Sequence, residues 1–76
     1  MLEKRSLALS GHRTSVALEP EFWTALAALA TARGQTLAAL IAATDAARAP
    51  DRPLASALRV LALAGAREMV TGPTGA

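Results

Sequence analysis

The residues best suited to chemistry in this chain of 76 residues are the cations of a short N-terminal segment. Lys4, Arg5 and Arg13 give the stretch from Lys4 to Leu18 three fixed positive charges, and no acidic residue interrupts it. A basic segment without acids attracts polyanions such as nucleic acid, whereas a merely solvated surface is the alternative interpretation. The formal charge of the whole chain, +2, is too small to decide between them.

The second half of this segment alternates in the way that a β-strand does. Arg13, Ser15 and Ala17 share one face, and the residues between them, which end in the apolar Leu18, form the other face. A lone strand in front of helices has unpaired backbone groups, and the same strand of a second copy can pair with them. The sequence therefore predicts a homodimer joined through this strand.

A shorter alternation from Ser6 to Ser10 comes immediately before it. A tight turn with Gly11 as its first central residue would join the two alternating segments in a type II′ hairpin, with Leu9 opposite Thr14. A hairpin this short is marginal by itself. An arm that becomes ordered only on binding is the equal alternative.

Catalytic and metal-binding constellations are not recognisable in the sequence. The chain has no cysteine and a single histidine, His12, which disfavours both nucleophilic catalysis and a zinc site. It also lacks a paired set of acids and a glycine-rich phosphate loop. We therefore expect a protein that is not an enzyme and needs neither a metal nor another cofactor.

Composition indicates one small, mainly helical domain. Apolar residues make up 53% of the chain, and alanine and leucine dominate them. A core of this size is marginal, and oligomerisation would stabilise it in the absence of disulfides. The longest uncharged runs are shorter than the ~20 residues of a membrane span, and no signal peptide is evident. We expect a cytoplasmic protein that does not enter a membrane.

Three helices should follow the strand. Pro20 suits the first helical position, where Leu18 and Trp23 would form a hydrophobic staple around it. Gly34 should end this helix, and Thr36 should cap the next. The predicted bounds are Pro20 to about Arg33, Leu37 to about Arg48, and Leu54 or Ser56 to Val70.

The third helix has an unusually apolar surface. Between Ala57 and Ala66 its only charge is Arg59, so it needs burial on several sides. A dimer would supply that burial. The alternative is a protein-interaction module, such as an antitoxin-like partner binder, that uses this helix to dock another protein. Around it we expect a flexible basic arm at residues 1–5, one domain at residues 6–70, and a disordered tail at residues 71–76.

The order of strand, helix, glycine turn and helix resembles the ribbon-helix-helix family of DNA-binding repressors, in a bacterial branch with a third helix. The resemblance extends from Ser6 to about Leu63. It is carried by Arg13-Thr-Ser-Val-Ala-Leu-Glu-Pro-Glu-Phe-Trp23, Ala32-Arg-Gly-Gln-Thr-Leu-Ala-Ala-Leu-Ile41 and Ser56-Ala-Leu-Arg59. It implies a mainly α fold with a short N-terminal β-ribbon, an intertwined homodimer, and transcription regulation through double-stranded DNA.

The resemblance also implies which residues would touch DNA. In this family the ribbon enters the major groove, which would place Arg13, Ser15 and Ala17 at base edges. Family members usually have polar side chains at all three positions, and Ala17 departs from that pattern. The remaining contacts would go to phosphates, from the start of the second helix and from the basic N-terminal residues. The predicted phosphate-contacting residues are Lys4, Arg5, His12, Gln35, Thr36 and Leu37.

Apolar residues of the strand and the three helices should form the core of the dimer. They are Val16, Leu18, Phe22, Trp23, Leu26, Leu37, Leu40, Ile41, Leu58 and Leu61. If both copies also form the hairpin, the joined sheet has four strands and spans about 14 Å at ~4.8 Å per neighbour. A major groove about 12 Å wide admits two strands. Either the first strand moves aside on DNA, or the groove is used differently; association beyond the dimer on DNA is also left open.

Overall fold

The computed structural model describes residues 1–9 and 11–70, and it consists of a two-stranded ribbon followed by three helices. The elements are β1 (Glu3–Leu9), β2 (His12–Leu18), α1 (Pro20–Ala32), α2 (Leu37–Ala47) and α3 (Leu54–Val70). This architecture confirms the predicted ribbon-helix-helix fold with a third helix. The predicted tail, residues 71–76, lies outside the described residues, as does Ser10.

The ribbon is an antiparallel hairpin within one chain, and its register differs from the predicted one. Leu9 pairs with His12 rather than with Thr14, so the turn lies between these two residues. Gly11, with φ of 86°, is therefore the second central residue of the turn and not the first. A positive φ at that position is typical of type I′ and type II turns. The two registers differ by two residues, so every side chain stays on its predicted face.

The strand β1 begins earlier than predicted. Residues 3–5 belong to it, although we expected them in a flexible arm, and Glu3 pairs with Leu18 at the end of the ribbon. The reason is a long-range contact, because the indole Nε1 of Trp23 donates a hydrogen bond to the Glu3 carbonyl oxygen at 2.8 Å. This bond fastens the start of β1 to α1.

Local signals fix both ends of α1 as expected. Pro20 is its first residue, and Leu18 and Trp23 on either side of the N-cap are both buried. At its C-terminus Gly34 has φ of 68°. The Gln35 amide donates to the Ala30 carbonyl at 2.8 Å, the 6→1 bond of a Schellman motif. The chain therefore turns sharply, and α2 begins three residues later at 98° to α1.

One hydrophobic core joins the inner face of the ribbon to all three helices. Its buried members are Leu9, Val16, Leu18, Trp23, Leu26, Leu29, Ala30, Leu40, Ile41, Leu58 and Ala62. Seven of the residues predicted for a dimer core are thus already buried within one chain, and Phe22, Leu37 and Leu61 are partly buried beside them. The assembly of two copies remains a prediction.

The helix α3 packs closely on α1 at Gly65. A Cβ atom at this position would lie 2.6 Å from Leu29 Cδ2, which is closer than real contacts allow. The glycine therefore leaves room for the Leu29 side chain, which would have to shift if any side chain stood at position 65. Leu58 and Ala62 of α3 are buried within the single chain, whereas Val60 and Leu63 remain exposed.

No single helix among residues 1–9 and 11–70 is long and apolar enough to cross a membrane. Only α1 and α2 taken together reach the required length and composition, and they are sharply bent relative to each other.

Candidate nucleic-acid interface

The outer face of the ribbon carries two cations, two hydroxyls and two methyl groups, and no acid. Alternation along the two strands puts Lys4, Ser6 and Ala8 of β1 beside three residues of β2. The cross-strand pairs are Lys4 with Ala17, Ser6 with Ser15, and Ala8 with Arg13. All but the partly covered Ala17 are exposed. Four of the six side chains are short, and the two long cations, Lys4 and Arg13, lie at diagonally opposite corners of the face.

The two cations of the outer face are available for a ligand. Within the described part of the chain, no hydrogen bond, ion pair or ring contact holds the side chain of Arg13 or of Lys4. A guanidinium group with free donors can grip two acceptors of a guanine base or a phosphate. The predicted base-contacting residues, Arg13, Ser15 and Ala17, are thus brought together on one surface with Lys4.

The third cation of the segment lies on the opposite face and is engaged inside the chain. Arg5 Nε is 2.6 Å from Glu3 Oε2, and its guanidinium carbon lies 4.6 Å from the centroid of the Trp23 ring. A cation in that position is attracted by the π-face of the ring and screens the buried indole from water. The structure therefore separates Arg5 from Lys4 and Arg13, with which the sequence grouped it.

His12 occupies the end of the ribbon beside the turn. It pairs with Leu9 in the register, and its side chain is exposed. Its alternation places it with the inner-face residues rather than with Arg13, although the turn lets it reach solvent. It thus lies at the turn end of the ribbon and not among the outer-face residues.

The N-terminus of α2 has the geometry of a phosphate-binding position. Thr36 is the N-cap, and its Oγ1 accepts a hydrogen bond from the Ala39 amide at 3.0 Å. The Leu37 and Ala38 amides precede the first intrahelical bond, which the Leu40 amide donates to the Thr36 carbonyl oxygen at 3.0 Å. Free amides and the positive end of the helix dipole favour an anion here. The predicted residues Gln35 and Thr36 are exposed, and Leu37 is partly buried.

A part-buried ion pair fixes the junction between ribbon and helices. Arg59 Nε of α3 donates to Glu19 Oε1 at 3.0 Å, at the point where β2 passes into α1. The Arg59 guanidinium also lies 5.9 Å from the Phe22 ring centroid. A hydrogen bond to the Glu19 backbone and the bond from Arg59 lower the pKa of the Glu19 carboxyl below its ordinary value. The pair ties the orientation of the ribbon to α3.

Sequence reasoning missed part of this interface. Ser6 and Ala8 complete the outer face, and Lys4 belongs to it as a strand residue rather than as part of an arm. The signal was present for Ser6 and Ala8, which alternate with Leu7 and Leu9, but not for Lys4, because the charged Arg5 breaks the apolar alternation. Neither the Arg59–Glu19 pair nor the Trp23 bond to Glu3 has a local sequence signature. Within the described ranges, no three His, Cys, Asp or Glu side chains lie together as metal ligands.

Comparison with known proteins agrees with this architecture. The family model that describes a ribbon-helix-helix domain matches residues 2–66. No match was found among curated proteins or among solved structures. Members of the matched family are generally DNA-binding transcription regulators. Because the match includes the ribbon, α1, α2 and most of α3, the chain belongs to the ribbon-helix-helix domain family.

Proposed function

We propose that this protein is a homodimeric DNA-binding transcription regulator whose antiparallel β-ribbon enters the major groove with its outer face towards the bases. The observation that carries the proposal is the outer face itself. It is exposed, it has two unengaged cations, and it contains no acid that would repel phosphate. Family membership agrees with it, since ribbon-helix-helix domains are generally DNA-binding.

Size supports entry of the two-stranded hairpin of one chain into the groove. Two strands about 4.8 Å apart, with short side chains on the outer face, fit a major groove about 12 Å wide. The serines and alanines of that face let the backbone approach the base edges closely. Long side chains in their place would hold the ribbon away from the bases.

Each outer residue of β2 supports a different kind of contact. Arg13 can bond to the O6 and N7 atoms of a guanine and would be the strongest reader. Ser15 can bond to several bases and so discriminates weakly. Ala17 offers only a methyl contact, which suits the methyl group of thymine. We therefore expect modest sequence preference centred on Arg13.

Phosphate contacts would set the position of the ribbon along the duplex. Lys4 reaches outward from the corner opposite Arg13, and the amides at the start of α2 form a second anion position. Because contacts of this kind release counterions, affinity should fall steeply as salt concentration rises.

Fluorescence anisotropy with labelled duplex DNA over a salt series tests the proposal. We expect binding at low salt that weakens linearly on a log–log plot. The variant Arg13→Ala should lose roughly 1–3 kcal/mol of binding free energy. Arg67→Ala is the matched control, because it removes the same charge from the last turn of α3. No binding at low salt, or an equal loss in both variants, would reject the proposal.

Selection of bound fragments from a pool of random duplexes tests the sequence preference. We expect recovered fragments enriched in guanine at the position that Arg13 reads. The same selection with Arg13→Ala should lose that enrichment while it keeps salt-dependent binding. If the guanine enrichment persists in Arg13→Ala, a residue other than Arg13 reads that base.

A further inference from the structure

A groove of about 510 Å³ lies between α2 and α3. It follows the length of α2, from Arg33 and Gln35 just before this helix to Arg48 and Arg52 just after it. The 11 residues of α2 rise about 16 Å. Small-molecule sites in proteins have volumes of roughly 300–1,000 Å³, and the groove falls within that range.

The walls of the groove are mainly apolar. Val60 of α3 is 54% exposed, and Ala43 and Ala47 of α2 are also exposed. The Thr44 hydroxyl is already engaged, because it donates to the Leu40 carbonyl oxygen at 2.9 Å. The apolar lining residues are Leu40, Ala43, Ala47, Ala57, Val60 and Leu61. Packing within the chain thus leaves apolar surface in water, and an apolar ligand would remove that surface from water.

The charge along the groove is positive. Among the described residues that line it, three are arginines and none is an acid. Two of these arginines have partners, since Arg33 lies 3.4 Å from Glu68 and Arg48 lies 2.8 Å from Asp45. Arg52 forms no ion pair with any described residue. One guanidinium group beyond the C-terminus of α2 is therefore without a counter-charge.

This unpaired cation lies beside a fixed one. Arg48 donates from Nε to Asp45 Oδ1 and from Nη1 to the Arg52 carbonyl oxygen, both at 2.8 Å. These bonds hold the Arg48 side chain against the segment that carries Arg52. The Arg52 side chain is exposed, and its Nη1 bonds to Ser56 Oγ at 3.3 Å, which is longer than a typical N–H···O bond. Arg52 can therefore turn to a carboxylate and donate two parallel N–H bonds to it.

One surplus cation at the end of an apolar groove specifies a class of ligand. A polyanion would meet a single unpaired guanidinium here, whereas a neutral apolar molecule would gain nothing from Arg52. We propose that this groove binds a small amphipathic molecule that has a linear apolar body and one carboxylate. The carboxylate binds Arg52, and the apolar body lies along α2 between Ala43 and Val60.

The opposite end of the groove adjoins the candidate nucleic-acid interface. Gln35 lines the groove and directly precedes Thr36, the N-cap residue of the predicted phosphate position. A ligand that extends to this end contacts a residue of the DNA-binding surface, so the affinities for ligand and for DNA should be coupled. This coupling, unlike the ligand site itself, rests on the proposed function.

NMR titration of the ¹⁵N-labelled full chain with octanoate tests the site. We expect saturable amide shifts along the groove, with an affinity that falls roughly 3–10-fold in Arg52→Gln. Arg67→Gln is the matched control, because it removes the same charge from the last turn of α3, and it should bind octanoate as the parent does. The uncharged 1-octanol should bind more weakly than octanoate. No saturable shifts, or equal affinity of the parent for the two ligands, would overturn the inference.

Filling the groove tests where the apolar body lies. Ala43→Leu enlarges a side chain of the groove wall, and Ala46→Leu makes the same change at an exposed position of α2 outside the groove. Leucine is a good helix former, so both variants should fold. We expect Ala43→Leu to lose the saturable shifts and Ala46→Leu to keep them, and equal binding in the two would overturn the inference. If Ala43→Leu instead changes the sedimentation of the ligand-free chain, a second copy occupies the groove, and the inference is overturned as well.

Anisotropy with duplex DNA, with and without octanoate, separates this inference from the proposed function. We expect octanoate to change the DNA dissociation constant of the parent and to leave that of Ala43→Leu unchanged. If the parent binds octanoate but no DNA, the ligand site stands and the proposed function fails. If DNA binding depends on Arg13 and octanoate does not bind, the proposed function stands and the ligand site fails. If both bind without affecting each other, the ligand site stands and the coupling is rejected.

Discussion

The two faces of the β-ribbon use the same residue type for opposite purposes. On the inner face, Arg5 pairs with Glu3 and lies over the Trp23 ring. On the outer face, Arg13 has an exposed side chain that the described residues do not engage. The difference shows that a positive charge in a basic segment is not by itself a ligand contact. Which face it lies on decides whether it stabilises the fold or is free to bind.

The inner face holds the ribbon in place, and the outer face depends on it. The inner face is buried through Val16 and Leu18, which lie in the core with Trp23. The Trp23 indole also holds the start of β1 by its hydrogen bond to Glu3. Because the inner face holds the ribbon in place, the outer-face residues can be small or polar without loss of stability. The division predicts that stability and DNA binding respond to different residues, although these alternate along one strand.

The largest effect should come from Trp23. Trp23→Ala removes a fully buried ring and should cost about 3–5 kcal/mol of unfolding free energy, measured by denaturant titration. Trp23→Phe keeps an aromatic ring in the core but loses the hydrogen bond to the Glu3 carbonyl. The lost bond should cost about 0.5–1.5 kcal/mol of unfolding free energy, in addition to the cost of the smaller ring. Equal costs for the two variants would show that the ring volume matters little and that the inner face is misassigned.

Neighbouring residues of β2 should respond very differently to truncation. Val16 is buried and should lose about 1.5–3 kcal/mol of stability as Val16→Ala, since two methyl groups leave a packed core. Ser15 is exposed, and Ser15→Ala should stay within about 0.5 kcal/mol of the parent. Thermal or urea unfolding of the two variants gives the comparison directly. A similar loss in both would mean that the outer face is also packed.

The smallest effect should be the acid dependence of the Glu19–Arg59 pair. The folded chain lowers the pKa of Glu19, so the unfolded state takes up its proton first as pH falls. The stabilisation is therefore present above the pKa of the unfolded side chain and is lost as pH falls through the folded pKa. Glu19→Gln should flatten the acid limb of unfolding free energy against pH. An unchanged acid limb would show that the pair does not contribute.

Much of the fold could be predicted because its signals are local. Pro20 with Leu18 and Trp23 indicated the start of α1, and Thr36 indicated the start of α2. The faces of the ribbon followed from alternation, which survives a register error of two residues. The register of the hairpin could not be predicted, because a glycine such as Gly11 suits either central position of a two-residue turn.

Other features required contacts between distant parts of the chain. The bond from Trp23 to Glu3 joins residues 20 apart, and the Arg59–Glu19 pair joins residues 40 apart. Without the first of these, Lys4 and Arg5 looked like equivalent members of an arm. The close approach of Leu29 to Gly65 could not be predicted from the sequence, because a glycine within a helix can be present for several structural or functional reasons.

The most direct test of the account compares Arg5→Ala with Arg13→Ala in two assays on each protein, urea unfolding and anisotropy with duplex DNA. We predict that Arg5→Ala loses about 1 kcal/mol of stability, from its ring contact and exposed ion pair, and retains DNA affinity. Arg13→Ala should retain its stability and lose roughly 1–3 kcal/mol of DNA-binding free energy. Equal losses of DNA affinity in the two variants would contradict the assignment of binding to the outer face.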